Sequence, residues 1–148
     1  MTDSSKTLIA ALLDRTGSMV DSKKATEDGF NEFINGQKDE PGQCLVTLSQ
    51  FDRHGQDSIL TRVYSNLPIR QVPRLDLQPR GNTPLLDATG EFITEIGASL
   101  AALPEENRPG LVICLIMPTS LSLPKSEWAG ARRLTVAIAV APACNYRG

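Results

Sequence analysis

The apolar run Thr7 to Leu13, which ends at Asp14, constrains this chain more than any other feature. It is far too short to cross a bilayer, which needs roughly 20 apolar residues, and it lacks the alternation of a strand with one wet face. It therefore reads as a strand covered on both sides, as in a parallel sheet with helices over its faces. Leu111 to Met117 is a second run of this kind. Between the two, Ala25, Phe30, Phe33 and Ile34 recur at helical spacing and close at Gly36, with Pro41-Gly42 beyond. Cys44 to Phe51 alternates as a strand, with Cys44, Val46, Leu48 and Gln50 on one face and Leu45, Thr47, Ser49 and Phe51 on the other. A turn over Asp52 to Gln56 and a β-rich stretch from Ser58 to Tyr64 predict a hairpin at the sheet edge. Prolines 68, 73, 79 and 84 make Leu67 to Pro84 a long irregular connection, and loops of that length in compact domains are usually functional or disordered. Function is the expectation here, because the loop runs into Gly81-Asn82-Thr83-Pro84. Leu86, Gly90, Ile93, Ile96, Leu100 and Leu103 then form a helical stripe ended by Pro104.

The order strand, helix, strand, strand, helix, strand predicts an α/β fold, a three-layer sandwich whose mostly parallel central sheet is flanked by helices. With 148 residues and 41% hydrophobic content the chain has material for one core, so residues 1–148 read as one domain. Its last part, 118–148, is atypical. Pro118, Thr119, Ser120 and Pro124 suggest a loop, Ser126 to Arg133 a short helix and Leu134 to Ala141 a last strand. Because such domains normally continue further, the C-terminally shortened sheet is expected to have fewer strands, or an edge open to self-association.

Charge narrows the partners. Fifteen Lys and Arg against 17 Asp and Glu give a formal charge of -2, which offers nothing to attract nucleic acid or an anionic membrane. The polar start, Met1 to Lys6, lacks the order of a signal peptide, so a cytoplasmic location is expected. Three cysteines without a CxxC pair argue against a disulfide framework and a zinc site, and Cys44 and Cys114 read as buried thiols. His54 reads as solvent-exposed in a polar turn.

Chemistry concentrates at Asp14-Arg15-Thr16-Gly17-Ser18. This turn follows a predicted strand at its carboxyl end, where open α/β sheets place ligands. The spacing i, i+2, i+4 can aim one carboxylate and two hydroxyls at a common point, and an all-oxygen set suits a hard cation such as Mg²⁺ or Ca²⁺. Gly17 lets the turn bend. Gly81 to Ala88 offers a further hydroxyl, Thr83, just before a helix, in a loop that a parallel sheet could bring beside the first. Arg70, Arg74 and Arg80 add positive charge to the connection leading there.

Asp14 to Met19 resembles the Asp-x-Ser-Gly-Ser-Met signature of von Willebrand factor A-like (VWA) domains, and Gly81 to Ala88 resembles their Gly-x-Thr-Pro-Leu-x-Asp-Ala segment. The resemblance covers roughly Thr7 to Met117. It implies a metal-ion-dependent adhesion site in which Thr16 and Ser18 are direct ligands, Thr83 a direct or water-bridged one, and Asp14 an acceptor acting through metal-bound water. Asp87 would be structural, its carboxylate favouring the helix N-terminus. The cofactor implied is Mg²⁺, or Mn²⁺ or Ca²⁺ in its place.

Two departures stand out. Thr16 replaces the usual serine and keeps the hydroxyl. More seriously, the family carries Thr-Asp-Gly after its fourth strand, where this chain reads Met117-Pro118-Thr119-Ser120 and has no carboxylate before Glu127. Fewer anionic ligands mean weaker binding of a hard cation. Pro118-Thr119 is what loss of the first nucleotide would make of ACC-GAC codons for Thr-Asp. Translating the other frames of the coding DNA tests this hypothesis, and absence of Thr-Asp-Gly from all of them sinks it.

Three functions compete. The first is a non-enzymatic protein-interaction module whose cation takes an acidic side chain of a protein partner. The second is a metal-free scaffold that has lost its ion. The third is a phosphoryl-transfer enzyme, because Asp14 to Ser18 also looks like the Asp-Lys-Thr-Gly-Thr loop of haloacid dehalogenase-type proteins, in which the aspartate is the nucleophile. That chemistry needs a downstream lysine and an acidic pair, whereas Lys125 is the only lysine after Lys38 and no paired aspartates follow it.

Overall fold

The computed structural model describes residues 2–17, 20, 23–56, 59–82, 85–117 and 136–140. The loop expected at Pro118 to Pro124 and the short helix expected at Ser126 to Arg133 lie outside them. Strand β1 (Asp3–Asp14) leads through helix α1 (Lys23–Gln37) to β2 (Gln43–Phe51) and β3 (Leu60–Pro68), and then through helix α2 (Leu85–Ala101) to β4 (Pro109–Met117) and β5 (Val136–Val140).

The strands form one sheet in the order β3-β2-β1-β4-β5. β1 is central and pairs parallel with both β2 and β4. Its apolar run is explained by that position, since Leu8 to Leu13 are all buried. Both outer ladders are antiparallel, β3 on β2 and β5 on β4. The expectation of a mostly parallel sheet is therefore corrected: the sheet is mixed, with a parallel centre and antiparallel edges. For β3 the reason is length. The connection from Phe51 to Leu60 can only turn back, whereas a parallel return needs a crossover of roughly a dozen residues or more.

Successive side chains of a strand face opposite sides, and β1 divides its residues between two cores. Ile9, Ala11 and Leu13 pack with Phe30 and Ile34 of α1. Leu8, Ala10 and Leu12 pack with Ala88, Phe92 and Ile96 of α2. Each large side chain fully buried there contributes about 1.5–3 kcal/mol. In α1, Thr26 is buried where Ala25 was expected to be, a shift of one residue on the helical wheel.

The face of α2 also differs from the expected stripe. Ile96 and Leu100 do pack inward, but Leu86 is 86% exposed and Ile93 49%. Phe92, four residues before Ile96, sets the inward direction because it is the largest apolar side chain on the helix and is fully buried.

The connection after β3 holds a 3-10 turn (Ile69–Gln71) and no regular structure from 72 to 80. It is nevertheless built into the core. Ile69, Val72 and Leu75 join the α1-side cluster, and Leu77 is fully buried. Two side chains of α1 hold its backbone: the Leu75 N–H donates to Asn31 Oδ1 at 2.9 Å and the Leu77 N–H to Glu27 Oε2 at 3.1 Å. Buried backbone needs such partners where no ladder supplies them.

At the opposite end of the sheet, Arg108 caps α2. Its guanidinium donates to the Leu100, Leu103 and Ala101 carbonyl oxygens at 3.0–3.1 Å, where a cation also favours the helix dipole. Among the described residues no helix is long and apolar enough to cross a membrane. Cys114 is buried, Cys44 half-buried, and burial pushes both thiols up.

Candidate metal site

An apolar strand end followed by aspartate occurs twice in this chain, as Leu13-Asp14 and Phe51-Asp52. Parallel pairing sets Asp14 opposite Phe51, so the two aspartates stand one residue apart in register at the carboxyl edge of neighbouring strands. Both are fully buried. The chain leaves β1 toward β2 on one side and returns as β4 on the other. Such a reversal of direction marks the strand ends at which open α/β sheets usually place ligands.

At the end of β1, Asp14 Oδ1 accepts the Thr16 N–H at 2.8 Å. This side-chain turn curls the backbone over its own carboxylate and buries Thr16 beside it. Arg15, between them, is drawn away. Its N–H donates to the Phe51 carbonyl at 3.1 Å, and its guanidinium donates to Asp52 Oδ1 at 3.1 Å and Thr61 Oγ1 at 3.2 Å.

The second loop arrives from the core-packed connection. Arg80 N–H donates to the Arg15 carbonyl at 2.7 Å and Gly17 N–H to the Gly81 carbonyl at 2.9 Å. Arg53 and Asn82 exchange two backbone hydrogen bonds, each 2.8 Å. Only glycine fits at position 81. Its φ is +68°, and a Cβ there would collide with the Arg53 carbonyl. Arg80 Nε donates to Asp52 Oδ2 at 2.7 Å, so each oxygen of Asp52 receives one guanidinium.

Of the residues expected at the site, Asp14, Thr16 and Gly17 are thus brought to the loop that carries Gly81. Ser18 and Thr83 lie outside the described residues. Asp87 is exposed in the first turn of α2, 3.5 Å from Arg53. Of the loop arginines, Arg80 is part of this edge, whereas Arg70 reaches the Lys38 carbonyl. His54 is exposed, as expected. Among the described residues no group of three or more His, Cys, Asp or Glu side chains could hold a metal ion.

Sequence reasoning missed Asp52, which it took as part of a polar turn. The signal was present in the repeated pattern of apolar strand end and aspartate, and in Arg15, a cation at a turn otherwise suited to binding one.

Compared with protein-family models, with curated proteins and with solved structures, the chain matches none.

Proposed function

We propose that this chain is a three-layer α/β sandwich of VWA type. In this reading it is a protein-interaction module that holds a divalent cation through Asp14, Thr16, Ser18 and Thr83 and offers it to an acidic side chain of a protein partner. The observation that carries the reading is the Gly17 N–H to Gly81 carbonyl hydrogen bond of 2.9 Å. It joins two loops that are distant in sequence and each resemble half of one cation site.

The donor chemistry fits a hard cation, since every ligand is oxygen, with Mg²⁺ ahead of Mn²⁺ or Ca²⁺. Arg15 is compatible with it, because its guanidinium is turned to Asp52. A single carboxylate in the set makes binding weak. β4 ends at Met117, paired with Leu13, the residue before Asp14.

A metal-free scaffold is the second reading. It is favoured by the fate of Asp52, the other acid of this edge, whose two oxygens are taken by arginines. The phosphoryl-transfer reading gains no support, since Lys125 is the only lysine after Lys38 and no paired aspartates follow it.

Calorimetric titration with Mg²⁺ and Mn²⁺ separates these readings. The expected result is weak binding in the natural chain, none in Asp14→Ala, and at least about tenfold tighter binding in Thr119→Asp, which restores a charge-assisted ligand. If neither substitution changes the titration, the scaffold reading replaces the cation site.

A further inference from the structure

We infer that Asp52 is the positioning residue of this edge, an anionic clip that assembles the two site loops without help from any cation. The assignment of those loops as a site rests on the reading above; the clip itself rests on geometry.

Asp52 has no exposed surface, yet it stands where three separate pieces of chain meet. Arg15 comes from the turn after β1, Arg80 from the connection before α2, and Thr61 from β3 through Arg15. Buried carboxylates are costly unless paired and hydrogen-bonded. Here both oxygens are satisfied by side chains belonging to the two loops. The backbone bonds between those loops, Arg80 N–H to Arg15 and Gly17 N–H to Gly81, lie immediately beside the two arginines. A carboxylate that binds Arg15 and Arg80 together therefore fixes the register in which residues 15–17 face residues 80–82. Asp52 also lies against Gly81: a Cβ on that glycine would be 3.1 Å from Asp52 Oδ2.

This assignment has a chemical corollary. Asp52 is not itself a cation ligand, because a metal would have to displace two charge-assisted hydrogen bonds from its oxygens. Its role is exerted through backbone geometry. The two-loop arrangement is thereby present before any ion arrives, so cation binding does not have to supply the cost of ordering the loops.

The test is residue-resolved amide hydrogen exchange in EDTA, read at Gly17, Arg80 and Asn82 against Ile9 and Val46 in the strands, with Mn²⁺ titration alongside. In the natural chain the three loop amides are expected to be protected with chelator present. In Asp52→Asn their exchange is expected to rise by about tenfold or more, beyond any change at Ile9 and Val46, and Mn²⁺ affinity to fall. Should that variant not fold, Arg80→Gln removes one arm from a partly exposed position and is expected to act in the same direction. The inference is overturned if the loop amides of the natural chain become protected only with Mn²⁺, or if either variant loosens strands and loops equally. A natural chain that binds no Mn²⁺ but keeps chelator-resistant loop protection lost in Asp52→Asn supports the clip while removing the cation reading.

Discussion

Two neighbouring strand ends carry the same residue and use it differently. At the end of β1, buried Asp14 turns back on its own chain and holds the Thr16 N–H. At the end of β2, equally buried Asp52 holds side chains from two distant segments. Burial is therefore not what distinguishes them; the partners are. A carboxylate answered by two guanidiniums is committed to structure, since removing either side leaves a charge without its counterpart in a place that water does not reach. Asp14, by contrast, accepts from the backbone two residues on, so that bond fixes a local turn rather than a junction of separate segments. The contrast teaches that an aspartate after an apolar strand signals a site only once its countercharge is known.

The largest effect that could break this contrast is on stability. Asp52→Ala should cost about 3–5 kcal/mol, because it strands the Arg15 guanidinium, only 14% exposed, against a buried edge. Asp14→Ala should cost less, about 1–3 kcal/mol, for hydrogen bonds such as the one from the Thr16 N–H. Urea unfolding of the two variants measures both. Equal losses would mean that Asp14 carries a structural load comparable to that of Asp52, and the proposed division of labour would fail.

Next in size is the hinge on which the second loop meets the first. Gly81→Ala should cost about 2–3 kcal/mol, from a left-handed backbone conformation and a collision with the Arg53 carbonyl. Gly55 is the control. Its φ is +61° with nothing near a Cβ, so Gly55→Ala should cost only about 1 kcal/mol. Thermal unfolding of the pair isolates the contribution of close packing at the carboxyl edge. Similar shifts in both variants would show that loop contact at Gly81 adds nothing.

Much of the architecture was legible because burial on both sides writes itself into composition. A central strand cannot afford polar residues, and Leu8 to Leu13 have none. The β2–β3 hairpin was legible from a polar turn between two β-rich stretches. Strand direction at the far edge was not, since Val136–Val140 pairs antiparallel and alternation carries no polarity. The face of α2 was misread because Leu86, Gly90 and Ile93 count as apolar on a helical wheel, while Ala88, Phe92 and Ile96 follow a second stripe at i, i+4 spacing on the same helix. Only packing decides between two such stripes. At the candidate site the Asp14 turn and its neighbour loop could be read, as local motifs can. The pairing of Arg15 and Arg80 with Asp52 could not, because it joins residues that meet only through the sheet.

The smallest expected effect sharpens the comparison best, because it keeps the chemistry and changes only the surroundings. Arg53 follows Asp52 in sequence and also faces a carboxylate, Asp87 in the first turn of α2, but both side chains are more than half exposed, at 54% and 71%. An ion pair in that setting contributes about 0–1 kcal/mol, since water screens the attraction and two long side chains must be ordered to make it. The Asp87 carboxylate also favours the helix N-terminus by a few tenths of a kcal/mol to about 1 kcal/mol, an effect that salt screens as well. Asp87→Asn should therefore lower stability by less than about 1 kcal/mol in dilute buffer. At roughly 1 M salt, where the screening length falls to about 3 Å, the loss should shrink toward zero. Asp52→Asn should be hardly relieved by the same salt, because its partners meet it out of reach of the ions. Unfolding free energies of the two variants at low and high salt test the distinction directly. A salt-insensitive loss at Asp87, or a loss at Asp52 that salt abolishes, would mean that solvent access does not separate the two pairs, and that the clip at β2 is an ordinary surface ion pair.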